Sequence, residues 1–269
     1  MLALERKNRI LEKLQEDGRV VVSQLSRLYG VSEETIRRDL EKLEAEGFAV
    51  KSYGGAVINE ENSADFPFRI RKKKNVARKR TIARIAADLV QDGERIMLDA
   101  SSTATFIARA LKDRKRLTVI TNSVEILAEL ADMEGWTVIS TGGVLEEGYL
   151  ALLGAGAEHT FSNFWADKAF FSCKALDSDL GIMDSRETFA HVKQVMTAAS
   201  RESILAVDYT KFDRKAFARI TGIRNLTTII TDEKPSGEWQ KIFSQNNIRC
   251  LYPDHAKRSE LTGTHGNKC

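Results

Sequence analysis

Residues 31–47, VSEETIRRDLEKLEAEG, constrain the fold more than any other part of this 269-residue sequence. Ile36, Leu40 and Leu43 are spaced i, i+4 and i+7, and this spacing predicts a helix with one buried face. Ser32 stands directly before the pattern and is a residue type that caps helices well. The segment therefore predicts a helix that packs its apolar stripe on a neighbouring element.

The polar residues of this helix have the chemistry of a nucleic-acid contact. Thr35, Arg37 and Arg38 project from its other faces, near its N-terminal half. Hydroxyl and guanidinium groups placed in this way donate to base edges and phosphates when a helix enters the major groove. The backbone N–H groups of residues 32–35 can also hold a phosphate. A surface helix with an ordinary charge pattern is the alternative for the segment taken alone.

The residues on either side of this helix complete a winged helix-turn-helix pattern. An amphipathic helix ends at Gly18, a β-branched run covers residues 20–22, a second helix fits residues 23–28, and Gly30 allows a tight turn. The helix-turn-helix then covers about residues 20–39. The apolar residues expected to face its core, besides those of the third helix, are Leu4, Ile10, Leu11, Leu14, Leu25 and Leu28.

A small hairpin is predicted after the third helix. Residues 48–50 form a short strand, and residues 51–57 continue into a turn at Gly54-Gly55, where the backbone could approach a phosphate closely. We therefore assign residues 1–58 to a winged DNA-binding domain. Its candidate contacts to double-stranded DNA are Ser32, Thr35, Arg37, Arg38, Lys51, Tyr53, Gly54 and Gly55.

The charge of the chain is unevenly distributed. Residues 1–80 contain 18 Lys and Arg against 13 Asp and Glu, and residues 61–80 alone contain eight basic and two acidic residues. Such a run is either a solvated linker or a contact to a polyanion. Polar residues at 59–63 and the proline at position 67 favour a linker over residues 59–75.

The rest of the chain alternates strand-like and helical patterns. Apolar runs near residues 95–99, 117–121, 136–140, 169–173, 203–208 and 227–231 alternate with helical patterns such as 187–199 and 237–245. This alternation predicts an α/β domain over residues 76–253, a mostly parallel, Rossmann-like sheet with helices on both faces. The polar residues 254–269 are expected to form a disordered tail.

Polar residues follow three consecutive strands of this predicted sheet. Ligands of such sheets bind at the carboxyl ends of the strands, where hydroxyls, small glycines and helix N-termini suit a phosphate and Asp99 could accept from sugar hydroxyls. Helix capping is the alternative role for each single residue. The candidate ligand-binding residues are Asp99, Ser101, Ser102, Thr103, Thr121, Asn122, Gly142 and Gly143, with Lys174 and Lys211 as cationic contacts.

Several other classes of protein are disfavoured. The sequence contains no GxxxxGK[ST] loop, the four histidines have no metal-ligand spacing, and the three cysteines are widely separated. No apolar stretch is long enough for a membrane span, and the charged N-terminus does not resemble a signal peptide. We therefore expect a cytoplasmic protein with no membrane association, no metal and no cofactor.

The sequence resembles the DeoR-type bacterial transcriptional regulators. The resemblance rests on VSEETIRRDL at residues 31–40, on YGGA at residues 53–56 and on DYTKF at residues 208–212. Two small departures are Lys51, where the family commonly has Arg, and Tyr53, where it commonly has His. The resemblance implies a C-terminal domain similar to ribose-5-phosphate isomerase and glucosamine-6-phosphate deaminase, used as a sensor of phosphorylated sugars.

This resemblance implies a DNA-binding repressor of a carbohydrate-utilisation operon that a phosphorylated sugar releases. Because a single helix-turn-helix contacts little DNA, we expect a homo-oligomer, either a dimer or a tetramer. The alternative is a phosphosugar isomerase or deaminase with a DNA-binding extension. Its acid and base groups would come from Asp99, Lys174, Asp177 and Glu187.

Overall fold

The computed structural model describes residues 1–59 and 66–253. The chain divides into two compact units, Met1–Lys74 and Asn75–Cys269. Part of the predicted linker, residues 60–65, and the predicted disordered tail, residues 254–269, lie outside the described residues. Each unit is described separately below.

The first unit is a winged helix-turn-helix. Its elements are α1 (Ala3–Asp17), β1 (Arg19–Val21), α2 (Val22–Tyr29), α3 (Glu33–Ala45), β2 (Ala49–Ser52), β3 (Gly55–Ile58) and α4 (Phe68–Lys73). The three strands form an antiparallel sheet in which β3 lies between β1 and β2. The predicted three helices and hairpin are therefore present.

The core of this unit differs from the prediction at two leucines. Ile10, Leu11 and Leu14 are buried as expected, but Leu4 is 68% exposed and Leu28 is 60% exposed. Leu28 is six residues beyond the buried Val22 on α2, so it lies about 120° away around the helix axis.

The unit also extends past the predicted boundary at residue 58. Helix α4 lies within the segment predicted as a linker, and its Ile70 is buried in the core of the first unit. Phe66, just before α4, is also buried there and stacks on Phe48 with the ring centroids 5.1 Å apart. Apolar residues between the charges thus fold this part of the basic run onto the first unit.

The second unit is built on a seven-stranded parallel sheet with the order β15-β14-β12-β9-β4-β5-β6. Its strands are β4 (Arg95–Leu98), β5 (Thr118–Thr121), β6 (Thr137–Ser140), β9 (Ala166–Phe171), β12 (Ser200–Ala206), β14 (Thr228–Ile230) and β15 (Arg249–Leu251). Its helices are α5 (Val76–Asp88), α6 (Ser102–Ala110), α7 (Val124–Glu129), α8 (Ala155–Ser162), α9 (Glu187–Ala198) and α10 (Gly237–Gln245).

Both faces of this sheet are covered, as the sequence predicts. Successive residues of one strand enter different apolar clusters: Ile96 and Leu98 lie in one, and Met97 lies in the other. Because side chains alternate across a strand, this division shows that apolar layers pack on both sides.

Two smaller sheets were not predicted. A hairpin joins β7 (Val144–Glu146) to β8 (Ala151–Leu153), and an antiparallel sheet joins β10 (Ala175–Asp177), β11 (Gly181–Asp184) and β13 (Ala218–Thr221). Short 3₁₀ turns cover Tyr209–Lys211 and Ile223–Asn225. Within the described ranges, we find no helix with the length and apolar character needed to cross a membrane.

Candidate DNA interface and ligand site

Helix α3 has the geometry predicted for a DNA-reading helix. Ser32 caps it, because the Ser32 hydroxyl accepts from the Thr35 N–H at 3.2 Å. Ile36, Leu40 and Leu43 are buried in the core of the unit. The opposite surface of the helix is left free for contacts with DNA.

The two arginines of α3 are exposed and paired with glutamates one turn earlier. The Arg37 guanidinium lies 2.7 Å from the Glu33 carboxylate, and the Arg38 guanidinium lies 3.3 Å from that of Glu34. Exposed i, i+4 pairs contribute only about 0.3–0.5 kcal/mol, so phosphates or base edges can replace the glutamates at little cost. The arginines are thus available to a DNA partner.

The hairpin β2–β3 places the remaining predicted contacts beside α3. Tyr53 and Gly54 form its tip, and Tyr53 is fully exposed. The Lys51 ammonium lies 3.3 Å from the Glu41 carboxylate and 3.5 Å from that of Glu44, and its hydrogen bond to Glu41 raises the pKa of Lys51 above its ordinary value. Six of the eight predicted contacts are exposed, whereas Thr35 and Gly55 are half-buried.

A buried ion pair lies under this surface, and the sequence did not lead us to predict it. The Arg6 Nε on α1 donates to the Asp39 Oδ2 on α3 at 2.5 Å, and both side chains are buried. Asp39 is three residues from Ile36 and therefore shares its face, so the helical period could have placed it inside. The pair joins α3 to α1 at the residue that follows Arg38.

We expect Arg38→Ala to reduce affinity for the protein's own promoter by about 1–3 kcal/mol, or about 5–150-fold, if the guanidinium contacts a base. Fluorescence anisotropy with promoter duplex measures this loss. Arg9→Ala is the matched control, because Arg9 is an exposed arginine on α1 in a similar i, i+4 pair with Glu5. An unchanged affinity and salt dependence would remove Arg38 from the interface.

The second unit has a topological switch point between β4 and β9. The chain forms β4 first, adds β5 and β6 on one side, and then adds β9, β12, β14 and β15 on the other. In open parallel sheets of this kind, ligands bind in the crevice outside the carboxyl ends of the strands where the order reverses. The predicted ligand residues after β4, β5 and β9 surround this point.

Asp99 joins the two loops at the switch point. It is 1% exposed, its Oδ2 accepts from the Ser172 N–H at 3.1 Å, and its Oδ1 accepts from the Ser101 N–H at 3.2 Å. The loops after β4 and β9 are therefore tied together by one carboxylate. Asp99 acts here as an internal acceptor, where the sequence led us to expect an acceptor for sugar hydroxyls.

The hydroxyls at the ends of β4 and β5 are bonded internally, and that of Ser101 caps α6, the alternative considered for it. The Ser101 Oγ accepts from the Ala104 N–H at 3.0 Å, and the Thr121 Oγ1 donates to the Leu98 carbonyl at 2.7 Å. Ser102 and Thr103 are buried in the first turn of α6. These bonds fix the shape of the crevice.

Asn122 differs from these residues because one of its side-chain atoms, Oδ1, makes no hydrogen bond to the described residues. Its Nδ2 donates to the Leu152 carbonyl at 3.1 Å, but its buried Oδ1 has no hydrogen-bond partner within the described ranges. A buried acceptor without a partner is costly. A ligand hydroxyl that donates to Oδ1 would remove this cost.

The two glycines after β6 lead into the β7–β8 hairpin, and one of them lies close against β8. Gly142 and Gly143 have φ values of 63° and 108°. A Cβ on Gly143 would lie 2.6 Å from the Leu153 carbonyl oxygen, so this position has room only for glycine. The two residues therefore shape the edge of the crevice.

The two predicted lysines follow β9 and β12 and are both half-buried. The Lys174 N–H donates to the Met183 carbonyl at 3.0 Å. Lys211 ends a 3₁₀ turn beside Asp208. Burial would raise the pKa of the Asp208 carboxyl, but the charge of Lys211 and a hydrogen bond from Thr210 outweigh burial, and the pKa is lowered.

A third lysine in this region was missed in the sequence. Lys193 on α9 is buried, and its ammonium donates to the Asp184 carboxylate and lies 3.5 Å from the Asp99 Oδ2. Burial would lower the pKa of Lys193, but the charges of Asp184 and Asp99 prevail and raise it. Phe189, Lys193 and Met196 follow a helical spacing, so a lysine within an apolar stripe was the available signal.

Two of the residues considered for an isomerase or deaminase, Asp177 and Glu187, have partners of their own. The Asp177 Oδ1 accepts from the N–H groups of Asp179 and Leu180 in its own turn. Glu187 is exposed and lies 3.6 Å from His191. Of the described residues, no three His, Cys, Asp or Glu side chains are grouped so that they could hold a metal ion.

Cys173 follows β9 at the switch point and is buried. Burial raises the pKa of its thiol to about 12, so the thiolate is scarce at physiological pH.

We expect no alkylation of Cys173 by iodoacetamide in the folded protein at pH 8, and complete alkylation in urea. Peptide mass spectrometry distinguishes this thiol from the other two, and rapid native labelling of Cys173 would contradict its burial.

The two units together define a class of protein, a winged helix-turn-helix DNA-binding protein with a Rossmann-like second unit. Residues 6–62 match the family model of the DeoR-like helix-turn-helix domain, and residues 74–233 match that of the DeoR C terminal sensor domain. The chain belongs to the DeoR family of transcriptional regulators, and it is a regulator and not an enzyme.

Curated relatives cover most of the chain. It is 41% identical to the HTH-type transcriptional regulator YulB of Bacillus subtilis, over 86% of this chain and 90% of that one. It is 35% identical to the L-fucose operon activator of Escherichia coli, over 85% and 95%. It is 31% identical to the HTH-type transcriptional repressor GlcR of Bacillus subtilis, over 92% and 95%.

Among solved structures, ribose 5-phosphate isomerase A of Methanocaldococcus jannaschii is similar with a TM-score of 0.40 and 20% identity. The match covers 53% of this chain and 56% of that one.

Proposed function

We propose that this regulator binds operator DNA through α3 and the β2–β3 hairpin, and that it represses a carbohydrate-utilisation operon. The observation that carries the proposal is the exposed cationic surface of α3, backed by a buried apolar stripe, in the same chain as a switch-point crevice. Arg37 and Arg38 would contact base edges or phosphates, and Lys51 and Tyr53 would contact the flanking backbone.

We propose a phosphorylated sugar as the ligand that releases the DNA. The Asn122 Oδ1 supports this choice, because it is a buried acceptor that a sugar hydroxyl satisfies. Lys211 supplies a cation for a phosphate at the end of β12. Asn122 and Lys211 follow β5 and β12, which are separated by β4 and β9 and therefore lie roughly 14 Å apart. The two side chains and a linear phosphosugar between them would together bridge this distance.

The proposal includes a homo-oligomer, either a dimer or a tetramer, that acts in the cytoplasm. One helix-turn-helix buries little DNA surface, and paired units reading two half-sites increase both affinity and specificity. Light scattering coupled to size-exclusion chromatography measures the mass of the assembly. A monomer at the concentration that binds DNA would contradict this part of the proposal.

The sign of regulation has a separate test, because the Bacillus subtilis relative GlcR is named a repressor and the Escherichia coli relative an activator. We expect deletion of the gene to raise expression from its own promoter, since a released repressor no longer blocks transcription. A fall in expression would show activation instead.

The ligand site is tested by Lys211→Ala. We expect the variant to bind promoter DNA like the wild type but to be no longer released by the pentose or hexose phosphate that releases the wild type. Lys215→Ala is the control, because Lys215 is a largely exposed lysine four residues further along the chain. Release of the Lys211→Ala variant at the wild-type concentration would place the ligand elsewhere.

A further inference from the structure

The first turn of α5 has an unusual charge for a helix N-terminus. It contains Arg78 and Lys79, followed by Arg80, and no acidic residue. Cations at this end oppose the helix dipole. The side chain of the N-cap residue, Asn75, makes no capping bond to the helix, and Asn75 has a left-handed φ of 53°. The sequence of α5 therefore does not stabilise its own beginning.

Carboxylates from two distant loops stabilise this turn instead. The Arg78 Nη1 donates to the Asp232 Oδ2 at 2.8 Å and to the Glu233 Oε1 at 3.0 Å. The Asn75 Nδ2 donates to the Asp208 Oδ2 at 3.4 Å. Asp208 and Asp232 are both buried, so each of these contacts is partly shielded from water.

The same loops carry the proposed phosphate contact. The Tyr209 N–H donates to the Asp232 Oδ1 at 2.9 Å, and the Arg78 guanidinium lies 4.2 Å from the centre of the Tyr209 ring. Lys211 follows two residues later, and its N–H donates to the Asp208 carbonyl oxygen at 3.1 Å. The Asp208 carboxylate therefore belongs to the turn that carries Lys211 and also contacts Asn75 at the start of α5.

We propose that Asn75 and Arg78 form a latch that couples the ligand site to the point where the chain leaves the DNA-binding unit at Lys74. This inference rests on the proposed ligand site. A phosphate bound at Lys211 adds negative charge beside Asp208, which caps the same 3₁₀ turn by accepting from the Thr210 N–H at 3.1 Å. The turn then shifts Tyr209, and the contacts of Asn75 and Arg78 change. The ligand thereby alters the start of α5 without touching DNA.

The latch is tested with Arg78→Ala and with Asp232→Asn. The second substitution is isosteric and keeps the test decisive if Arg78→Ala fails to fold. Arg80→Ala is the matched control, because Arg80 is an exposed arginine on the same helix. Hydrogen exchange is measured first, without ligand. We expect faster exchange in both residues 76–80 and residues 208–211 in the latch variants and in neither segment of the control. Faster exchange in α5 alone, or in neither segment, overturns the latch.

Release from promoter DNA is measured second, with the pentose or hexose phosphate that releases the wild type. We expect Arg78→Ala to bind this compound like the wild type but to need about tenfold more of it for half-release, since allosteric coupling is usually 5–150-fold. Half-release at the wild-type concentration overturns the latch while the ligand site stands. If no phosphosugar binds or releases the wild type, the proposed function fails, and the exchange comparison still decides the latch.

Discussion

Gly55→Ala is expected to disrupt the winged helix-turn-helix unit and to abolish specific promoter binding. A Cβ at this position would lie 1.9 Å from the carbonyl oxygen of Val20, and the obstacle is backbone that cannot move aside as a side chain does. Gly55 pairs with Val21 in the sheet, so the strands β1 and β3 would have to separate. We expect a loss of about 2–4 kcal/mol of stability in this unit.

Gly54→Ala is the control for Gly55→Ala, because it adds the same methyl group at the neighbouring residue. Gly54 has a φ of +75°, and a Cβ added there would meet no atom within 4 Å, so alanine at this position causes backbone strain alone. Such strain costs about 1–2 kcal/mol. Urea unfolding followed by far-UV circular dichroism, with promoter anisotropy alongside, measures both variants. Equal effects of the two substitutions would contradict the close approach of β1 and β3.

Lys193→Met is expected to destabilise the second unit by about 3–5 kcal/mol. The substitution removes the cation between Asp184 and Asp99 and leaves two buried carboxylates without their charged partner. Lys215→Met is the control, because Lys215 is largely exposed and lies 3.9 Å from Asp177. We expect its effect on the free energy of unfolding to stay within about 0.5 kcal/mol. Adding Asp184→Asn to Lys193→Met should restore part of the loss.

The pH dependence of the wild type follows from the raised pKa of Lys193. The stabilisation is fully present below the unfolded-state pKa of about 10.5, and it is lost only as the pH rises through the higher folded pKa. Urea unfolding of the wild type should therefore show this contribution undiminished at pH 7 and weakening only in strong alkali. A stable Lys193→Met variant at pH 7 would contradict the buried cluster.

The predicted parts of the fold depend on local patterns. The period of Ile36, Leu40 and Leu43 placed α3, and the alternation of apolar runs predicted the parallel sheet. The basic run was harder to interpret, because charged residues obscured two helices. Ile70 within that run and Ile82 just after it are buried, so α4 and α5 are amphipathic elements and the run is not a simple solvated linker.

The candidate site could be predicted only in part for a related reason. Strand ends predicted which loops meet, but they did not show which side chains are already satisfied. Asp99 and Ser101 are bonded internally, whereas the Asn122 Oδ1 is not, and this difference depends on contacts with distant loops. Lys193 is nine residues from Asp184 and 94 from Asp99, so no local pattern could reveal their contact.

Titration of the full-length protein against its own promoter duplex tests the central claim most directly. The titration is repeated from low to high salt, with and without a panel of pentose and hexose phosphates. We expect tighter binding than to a scrambled duplex, affinity that falls as salt rises because phosphate contacts release counterions, and weaker binding with at least one phosphosugar. Equal affinity for both duplexes at every salt concentration, unchanged by every phosphosugar, would contradict the claim.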